Sequence, residues 1–460
     1  NIYGGGNENS NVTKTTVKVT GGSVGNVYGA GLNGNSNETN ITVSGAVITN
    51  VYGGENNTNN SELITPKTNI TMTSGNVTNI FGAGLNSGAT QTNVKVSSGY
   101  VTNIYGGVNT SGTVENSNIN VTGGTVTNVY GGNLLGGDIK NTTVNIQGST
   151  TITKDLFAGG YSSDVGTQNS AGSATLNITG GTINSDVNGG SSLGVVYGET
   201  NVNIGKNCVT TAASSIVAGN INIQGDIYGA GTSEYSQYKN EYDNAEVSDY
   251  NFDNTKSVIG NTNIKLDGKD ATIAFRKNIY GVGNASTYTG SSKVSIENWG
   301  KIDNIKELSS IQRISELNIG NSWLELDGKI DVLNASTRQA FSLNRIDSMS
   351  VYENAVIHVQ SEFNLVKEFS SYEDKAKTKK ATDDSKIVNR LYTLENLNLV
   401  FAKQEEDITE WGKVNGMTFF GLYAFNHDDT SETKSYDIYN PDDVKAGLAD
   451  GTLFIEGAYV

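Results

Sequence analysis

One five-residue phrase constrains this chain more than anything else in it. Asn, a β-branched residue, an aromatic and two small residues appear as NIYGG at residues 1–5 and as NVYGG at residues 128–132. Copies begin at Asn1, Asn26, Asn50, Asn79, Asn103 and Asn128, in steps of 25, 24, 29, 24 and 25 residues. Degenerate copies follow: DLFAGG from Asp155, DVNGG from Asp186, DIYGAG from Asp226 and NIYGVG from Asn278. A near-constant period of this length marks structural units stacked in line, because a unit this short cannot bury its apolar face alone.

A second phrase lies between the copies of the first. It has the alternating form TxVxV, as in TTVKV from Thr15, TNITV from Thr39, TNITM from Thr68 and TNVKV from Thr92. Alternation puts Val17 with Val19, Ile41 with Val43 and Ile70 with Met72 on one face of a short strand, with Lys, Thr or Asn on the other. A third apolar position precedes each Asn: Val24, Ile48, Val77, Val101 and Val126. Three short strands of four or five residues per coil, joined by Gly, Asn and Ser turns, predict an all-β fold, a single-stranded parallel β-helix of about 25 residues per coil. Right-handed winding is the default for parallel crossovers.

The first phrase then acquires physical roles. Glycine in YGG and YGA permits positive φ at a corner. The recurring Asn can take the left-handed region at a bend and bond to the Asn above and below it. Tyr3, Tyr28, Tyr52, Phe81, Tyr105, Tyr130 and Phe157 would form a stacked column. That column faces either inward or outward, depending on how the bend resets the alternation.

Composition limits the function. With 56 Gly, 2 Pro and 17% charged residues, the chain is neither a Pro-rich linker nor a charged disordered segment. A net charge of -16 without a dense basic run excludes nucleic acid and anionic membrane surfaces as partners. No apolar run is long enough to insert in a membrane, and no signal peptide is apparent. Cys208 is alone and reads as a small buried apolar residue. The chain starts without Met inside a repeat phrase, so a mature fragment of something larger is expected.

Charge divides the chain. Residues 1–220 hold 17 charged residues and no Arg, whereas all five Arg lie beyond. We expect regular β-helix repeats over residues 1–225 and irregular coils over 226–370. A C-terminal cap or mini-domain over 371–460 would cover the open end of the stack. Residues 231–254 form an insertion that carries Tyr235, Tyr238, Tyr242, Tyr250 and Phe252 beside acidic residues. Long loops on a rigid scaffold are common binding surfaces, and this content suits a sugar ring or a protein patch. Asp243, Glu246, Asp249 and Asp253 are candidate Ca²⁺ ligands by residue type, although their spacing matches no standard loop and a solvated acidic loop is the simpler reading. Otherwise no cofactor is expected.

A catalytic reading finds little to hold. The regular coils lack Arg, and the adjacent acidic pairs Asp383–Asp384, Asp428–Asp429 and Asp442–Asp443 all lie in the C-terminal part. His358 and His427 have no Ser or Cys partner in a nucleophile motif, and no phosphate-loop motif is present. A polysaccharide lyase, hydrolase or tailspike-like depolymerase would need facing carboxylates, drawn from Asp226, Asp267, Asp270 or the insertion.

Through NVYGAG, TNITVSG and VTGGTVTNVYGG, over residues 1 to about 300, the chain resembles the β-strand-repeat surface proteins of Gram-positive bacteria, in the pectate-lyase-like β-helix group. The resemblance implies a non-enzymatic adhesin or extracellular fibre: a rod that presents a loop or tip to a host or cell-wall glycan or protein. Self-association end to end is a further expectation. A passive glycan-binding module with an outward aromatic column is the third reading, and exposure of Tyr28, Tyr52, Tyr105 and Tyr130 decides it.

Overall fold

The computed structural model describes residues 1–7, 10–58, 63–209 and 219–231, shorter stretches within 256–298, and isolated strands out to Met417–Phe419. It is a β-solenoid of about 9 coils with about 26 residues per turn. Each regular coil gives one strand to each of two parallel sheets, two longer strands in place of the three short ones expected, because the third apolar position and the Asn phrase share one bulged strand. The first sheet stacks Ser23–Tyr28, Ala46–Tyr52, Gly75–Phe81, Tyr100–Tyr105 and Thr125–Tyr130; the second stacks Asn11–Val19, Asn35–Val43, Ile64–Met72, Gly88–Val96 and Thr113–Val121. Equivalent residues align from coil to coil: Val17 with Ile41, Ile41 with Ile70, and Ile70 with Val94.

Alternation builds the core. In Asn35–Val43 the inward residues Thr39, Ile41 and Val43 are buried, and the same register repeats down the sheet. In the first sheet, the inward residues Ile48 and Val51 are three apart. A strict strand would need an even spacing, so one residue is extra. The pairing shows where: Val24 aligns with Ile48 and Asn26 with Asn50, skipping the residue between them. The bend at Asn lets two aliphatic side chains of one short strand enter the same core, each stabilising the fold by roughly 1.5–3 kcal/mol.

Two conformational expectations need correction. The ladder asparagines are not left-handed: among the described residues, Asn33 and Asn298 are the non-glycine residues with positive φ. Nor are the glycines of YGG. Positive-φ glycines sit in turns that lead from the second sheet back to the first, such as Gly45 at 81° and Gly99 at 95°, in loops that lead the other way, such as Gly112 and Gly136, and within strands of the second sheet, such as Gly198 and Gly260. What the YGG position requires is room. A Cβ on Gly53 would lie 2.0 Å from the Gly82 carbonyl oxygen and 2.9 Å from Thr68 Cβ.

That crowding comes from a hydroxyl ladder that crosses the core. Thr15, Thr39, Thr68 and Thr92 each donate to the carbonyl of the first glycine in the next coil, Gly29, Gly53, Gly82 and Gly106, at 2.5 Å. Ser117 does the same to Gly131, and the bond returns at Thr200 to Gly229 and Thr262 to Gly281. The interruption is informative. In the coil where the glycine position becomes Ala158, the threonine position becomes Ala174, and both are fully buried. One methyl is gained where another, with its hydroxyl, is lost. Thr142, which precedes this coil, has no partner for its hydroxyl among the described residues.

The sheets continue past residue 226 through Lys256–Asp267, Asn278–Tyr280, Ser292–Glu297 and Glu316–Gly320. Within 371–460, the region expected to form a cap, only Met417–Phe419 is among the described residues; it pairs in parallel with Ala355–Val359.

Candidate functional site

The binding-loop residues Tyr235, Tyr238, Tyr242, Tyr250 and Phe252, and the Ca²⁺ candidates Asp243, Glu246, Asp249 and Asp253, lie outside the described residues, as do Asp270 and His427. What is described is the scaffold from which that insertion departs: Tyr228, Ala230 and Gly231 are buried on one side of it, and Val258 enters the core on the other.

The aromatic column is present and buried. Tyr3, Tyr28, Tyr52, Phe81, Tyr105, Tyr130 and Phe157 stack at centroid separations of 4.8–5.6 Å, with planes within 11° of parallel. Tyr28, Tyr52, Tyr105 and Tyr130 are 3–6% exposed. Each ring follows an inward aliphatic residue and so projects from the opposite face of the strand. There it forms a second, separate cluster, against which Leu85, Leu134 and Tyr161 of the loops after the glycines pack. No ring face of the four tyrosines is free for a sugar, and the passive glycan-binding reading of the column falls.

The polar edges of the column are satisfied locally. Asn109 donates to the Tyr52 hydroxyl at 3.3 Å, and Tyr130 donates to Asp155 at 2.5 Å. Burial pushes the phenols of Tyr28 and Tyr105 up to about 12, helped by Tyr52 for the first and by Tyr161 and Asp155 for the second.

Beside the column runs the amide ladder. Asn26, Asn50, Asn79, Asn103 and Asn128 each donate to the Asn one coil earlier, at 2.7–3.0 Å. At the degenerate copies the ladder changes to carboxylates. Asp186 Oδ1 accepts the backbone N–H of Asp226, and Asp226 Oδ1 accepts the backbone and side-chain N–H groups of Asn278. Burial, with Asp226 beside it, raises the carboxyl of Asp186 above its usual range. The sequence signal for this pair was the change from Asn to Asp in the phrase. Its geometry is that of a structural ladder, since each carboxylate is engaged by the next coil's backbone.

Of the sources expected to supply facing carboxylates, Asp226 and Asp267 are described, whereas Asp270 and the insertion lie outside the described residues. Asp226 immediately precedes a strand of the first sheet, stacked beside Asp186, whereas Asp267 ends a strand of the second sheet and aligns with Glu297. Asp267 accepts from Lys269 N–H and Asn298 Nδ2, so it ties a turn. Glu297 is raised by partial burial and by Asp267. Cys208 is half-buried, not core; its thiol lies 3.4 Å from the Ile204 carbonyl and is pushed up to about 12 by burial and by Asp267, far from a reactive thiolate. Among the described residues no group of three or more His, Cys, Asp or Glu converges as a metal site.

The outer face of the second sheet carries two further amide ladders. Asn93 donates to Asn69 and Asn69 to Asn40, both at 3.1 Å; Asn203 donates to Asn177 and Asn177 to Asn145, both at 2.9 Å. Asn and Thr take most of the outward positions of the TxVxV alternation on this face, with Lys18 and Lys95 among them. Comparison with protein-family models, with curated proteins and with solved structures found no match.

Proposed function

We propose that the protein is an extracellular structural or adhesive surface protein, a rod of stacked coils that holds a binding loop or tip away from its attachment point. The observation that carries this reading is the use of the repeats' own side chains. Their aliphatic residues fill the core, their rings fill the buried column, and their Asn and Thr side chains bond along the rod axis. The repeats thus maintain a shape and leave recognition to whatever departs from the repeat.

The insertion after Gly231 is the first such departure with aromatic and acidic content, and we assign it contact with a glycan or protein partner. No helix in the described residues is long and apolar enough to cross a membrane. Removing residues 232–254 leaves buried Gly231 in place, and should abolish binding to a printed glycan array or protein panel while the β-sheet circular dichroism stays intact. Unchanged binding overturns the loop assignment. Release of reducing ends or unsaturated products from acidic polysaccharides overturns the non-enzymatic reading.

A further inference from the structure

Asn33 combines a left-handed backbone, with φ at 53°, and a glycine as its next residue. An asparagine before glycine is open to attack by its own backbone, because the glycine puts no Cβ between the following nitrogen and the side-chain amide. Two such steps fall within the described residues, Asn33–Gly34 and Asn188–Gly189, and Asn415–Gly416 lies outside them. The two differ in what governs the attack. Asn188 is 2% exposed, and the Gly189 N–H, whose nitrogen would be the nucleophile, donates to the Tyr228 carbonyl at 2.9 Å. Asn33 is half-buried in a turn at the surface, and among the described residues the Gly34 N–H has no acceptor.

The turn is held from both sides. A Cβ on Gly34 would lie 2.5 Å from Ser10 Oγ and 2.7 Å from the Gly6 carbonyl oxygen, so Gly34 is packed against the coil before it. The Asn33 side chain reaches the coil after it. Its Nδ2 donates to the Thr58 hydroxyl oxygen at 2.9 Å, while Oδ1 accepts the Thr58 N–H at 2.7 Å and the Thr58 hydroxyl at 3.1 Å. Nucleophile and electrophile are thereby drawn toward opposite neighbours along the rod axis. Attack requires the turn to release Thr58, so the rate in the folded chain is the unfolded-chain rate scaled by the fraction of time the turn is open.

We propose that Asn33–Gly34 is a self-modification site, at which the asparagine is slowly converted to aspartate and isoaspartate at a rate set by the hold of Thr58. The Gly34 nitrogen attacks Asn33 Cγ and gives its proton to solvent base. The new Cγ–N bond closes a succinimide ring as the Cγ–Nδ2 bond breaks and ammonia leaves. Water then opens the ring: addition at Cγ leaves an aspartate at position 33, and addition at the main-chain carbonyl leaves an isoaspartate whose chain runs through Cγ. The net change is one water taken up and one ammonia released. Either product puts a carboxylate where an N–H met the Thr58 hydroxyl. The isoaspartate also adds a carbon to the main chain inside the turn that the Gly31 N–H closes on the Gly34 carbonyl at 3.3 Å, next to the Asn33 N–H bond to the Asn56 carbonyl at 2.9 Å. The conversion thus loosens the second coil from the third, and it accumulates with the age of the rod.

The test follows the full chain by peptide-mapping mass spectrometry, which resolves aspartate and isoaspartate from asparagine, during incubation at mildly alkaline pH in buffer and in urea. In urea Asn33 and Asn188 should convert at similar rates. In the folded chain Asn33 should convert about 10-fold more slowly than in urea, and Asn188 should stay intact. Thr58→Val removes the hydroxyl and keeps the backbone N–H. It should speed the folded-state conversion at Asn33 by roughly 2- to 10-fold, the range that the net worth of one hydrogen bond sets, and leave the rate in urea unchanged. Equal rates at Asn33 in buffer and in urea overturn the proposal, as does a folded-state rate that Thr58→Val leaves unchanged. Conversion at Asn188 as fast as at Asn33 in the folded chain overturns it too, as does an intact Asn33 in both folded chains once the urea sample has gone to completion.

Discussion

The hydroxyl of Thr39 crosses the core to the carbonyl of Gly53 in the next coil, 2.5 Å away. This bond joins the two sheets of the solenoid through its interior, where neither end meets water. Thr39→Val keeps the shape and removes the donor, leaving a buried carbonyl short of a partner. The expected cost is about 1–3 kcal/mol, read as a lower denaturation midpoint. Thr39→Ser should cost less than half of that, since Ser117 makes the same bond to Gly131.

The glycine end of the bond gives a coupled prediction. Gly53→Ala brings a methyl against the Gly82 carbonyl and Thr68, an overpacking expected to cost about 1–3 kcal/mol. Adding Thr68→Ala reproduces the natural combination of Ala158 with Ala174. The double variant should be more stable than the sum of the two single changes implies, and strict additivity would break the link between these positions.

Asp186 sets a pH dependence. Its native carboxyl is raised above the ordinary 3.8 by burial and then by Asp226. Below that value it is protonated in both the folded and unfolded chain and exacts no penalty. As pH rises past it the unfolded chain releases its proton first, and stability falls until the native carboxyl ionises too. Asp186→Asn restores the amide of the earlier coils. The variant should be more stable than the parent at pH 7 and equal to it at about pH 3, as measured by thermal unfolding at each pH.

Burial of the ring column is testable by titration. Tyr105 is pushed up to about 12, by burial first and then by Tyr161 and Asp155. The difference in tyrosinate absorbance between the parent and Tyr105→Phe should therefore be absent at pH 10, where a free phenol is half ionised, and should rise near pH 12. A difference centred at pH 10 would mean an exposed column.

Much of this architecture is legible in the chain before any coordinates. The period, the inward faces of the TxVxV strands and the Asn ladder follow from spacing alone, because a stacked coil aligns like with like. Thr39 lies two residues from Ile41, so its inward direction was readable; its partner was not, because the bond spans the core to a residue 14 positions later. The direction of the tyrosines was undecidable, since the bend at Asn adds one residue to the alternation and the loops that cover the rings carry Leu85 or Leu134 without a fixed motif. The glycines misled for a related reason. Freedom in φ is the usual use of glycine, and here the need at Gly53 is space for a neighbouring carbonyl. Residues 232–254 of the insertion, which hold every predicted binding residue, lie outside the described residues.

Cysteine cross-linking tests the stacking itself most directly. Thr42 aligns with Thr71 on adjacent coils, and Thr71 aligns with Lys95 on the next, which places Thr42 and Lys95 two coils apart. With Cys208 replaced by serine, a stacked in-register solenoid requires that Thr42→Cys with Thr71→Cys form a disulfide rapidly under mild oxidation, since their Cα atoms fall within the roughly 4.4–6.8 Å that a disulfide spans. Thr42→Cys with Lys95→Cys, about 9.6 Å apart at two strand spacings, should remain reduced. Failure of the first pair, or equal bridging by both, would contradict the stacked coil.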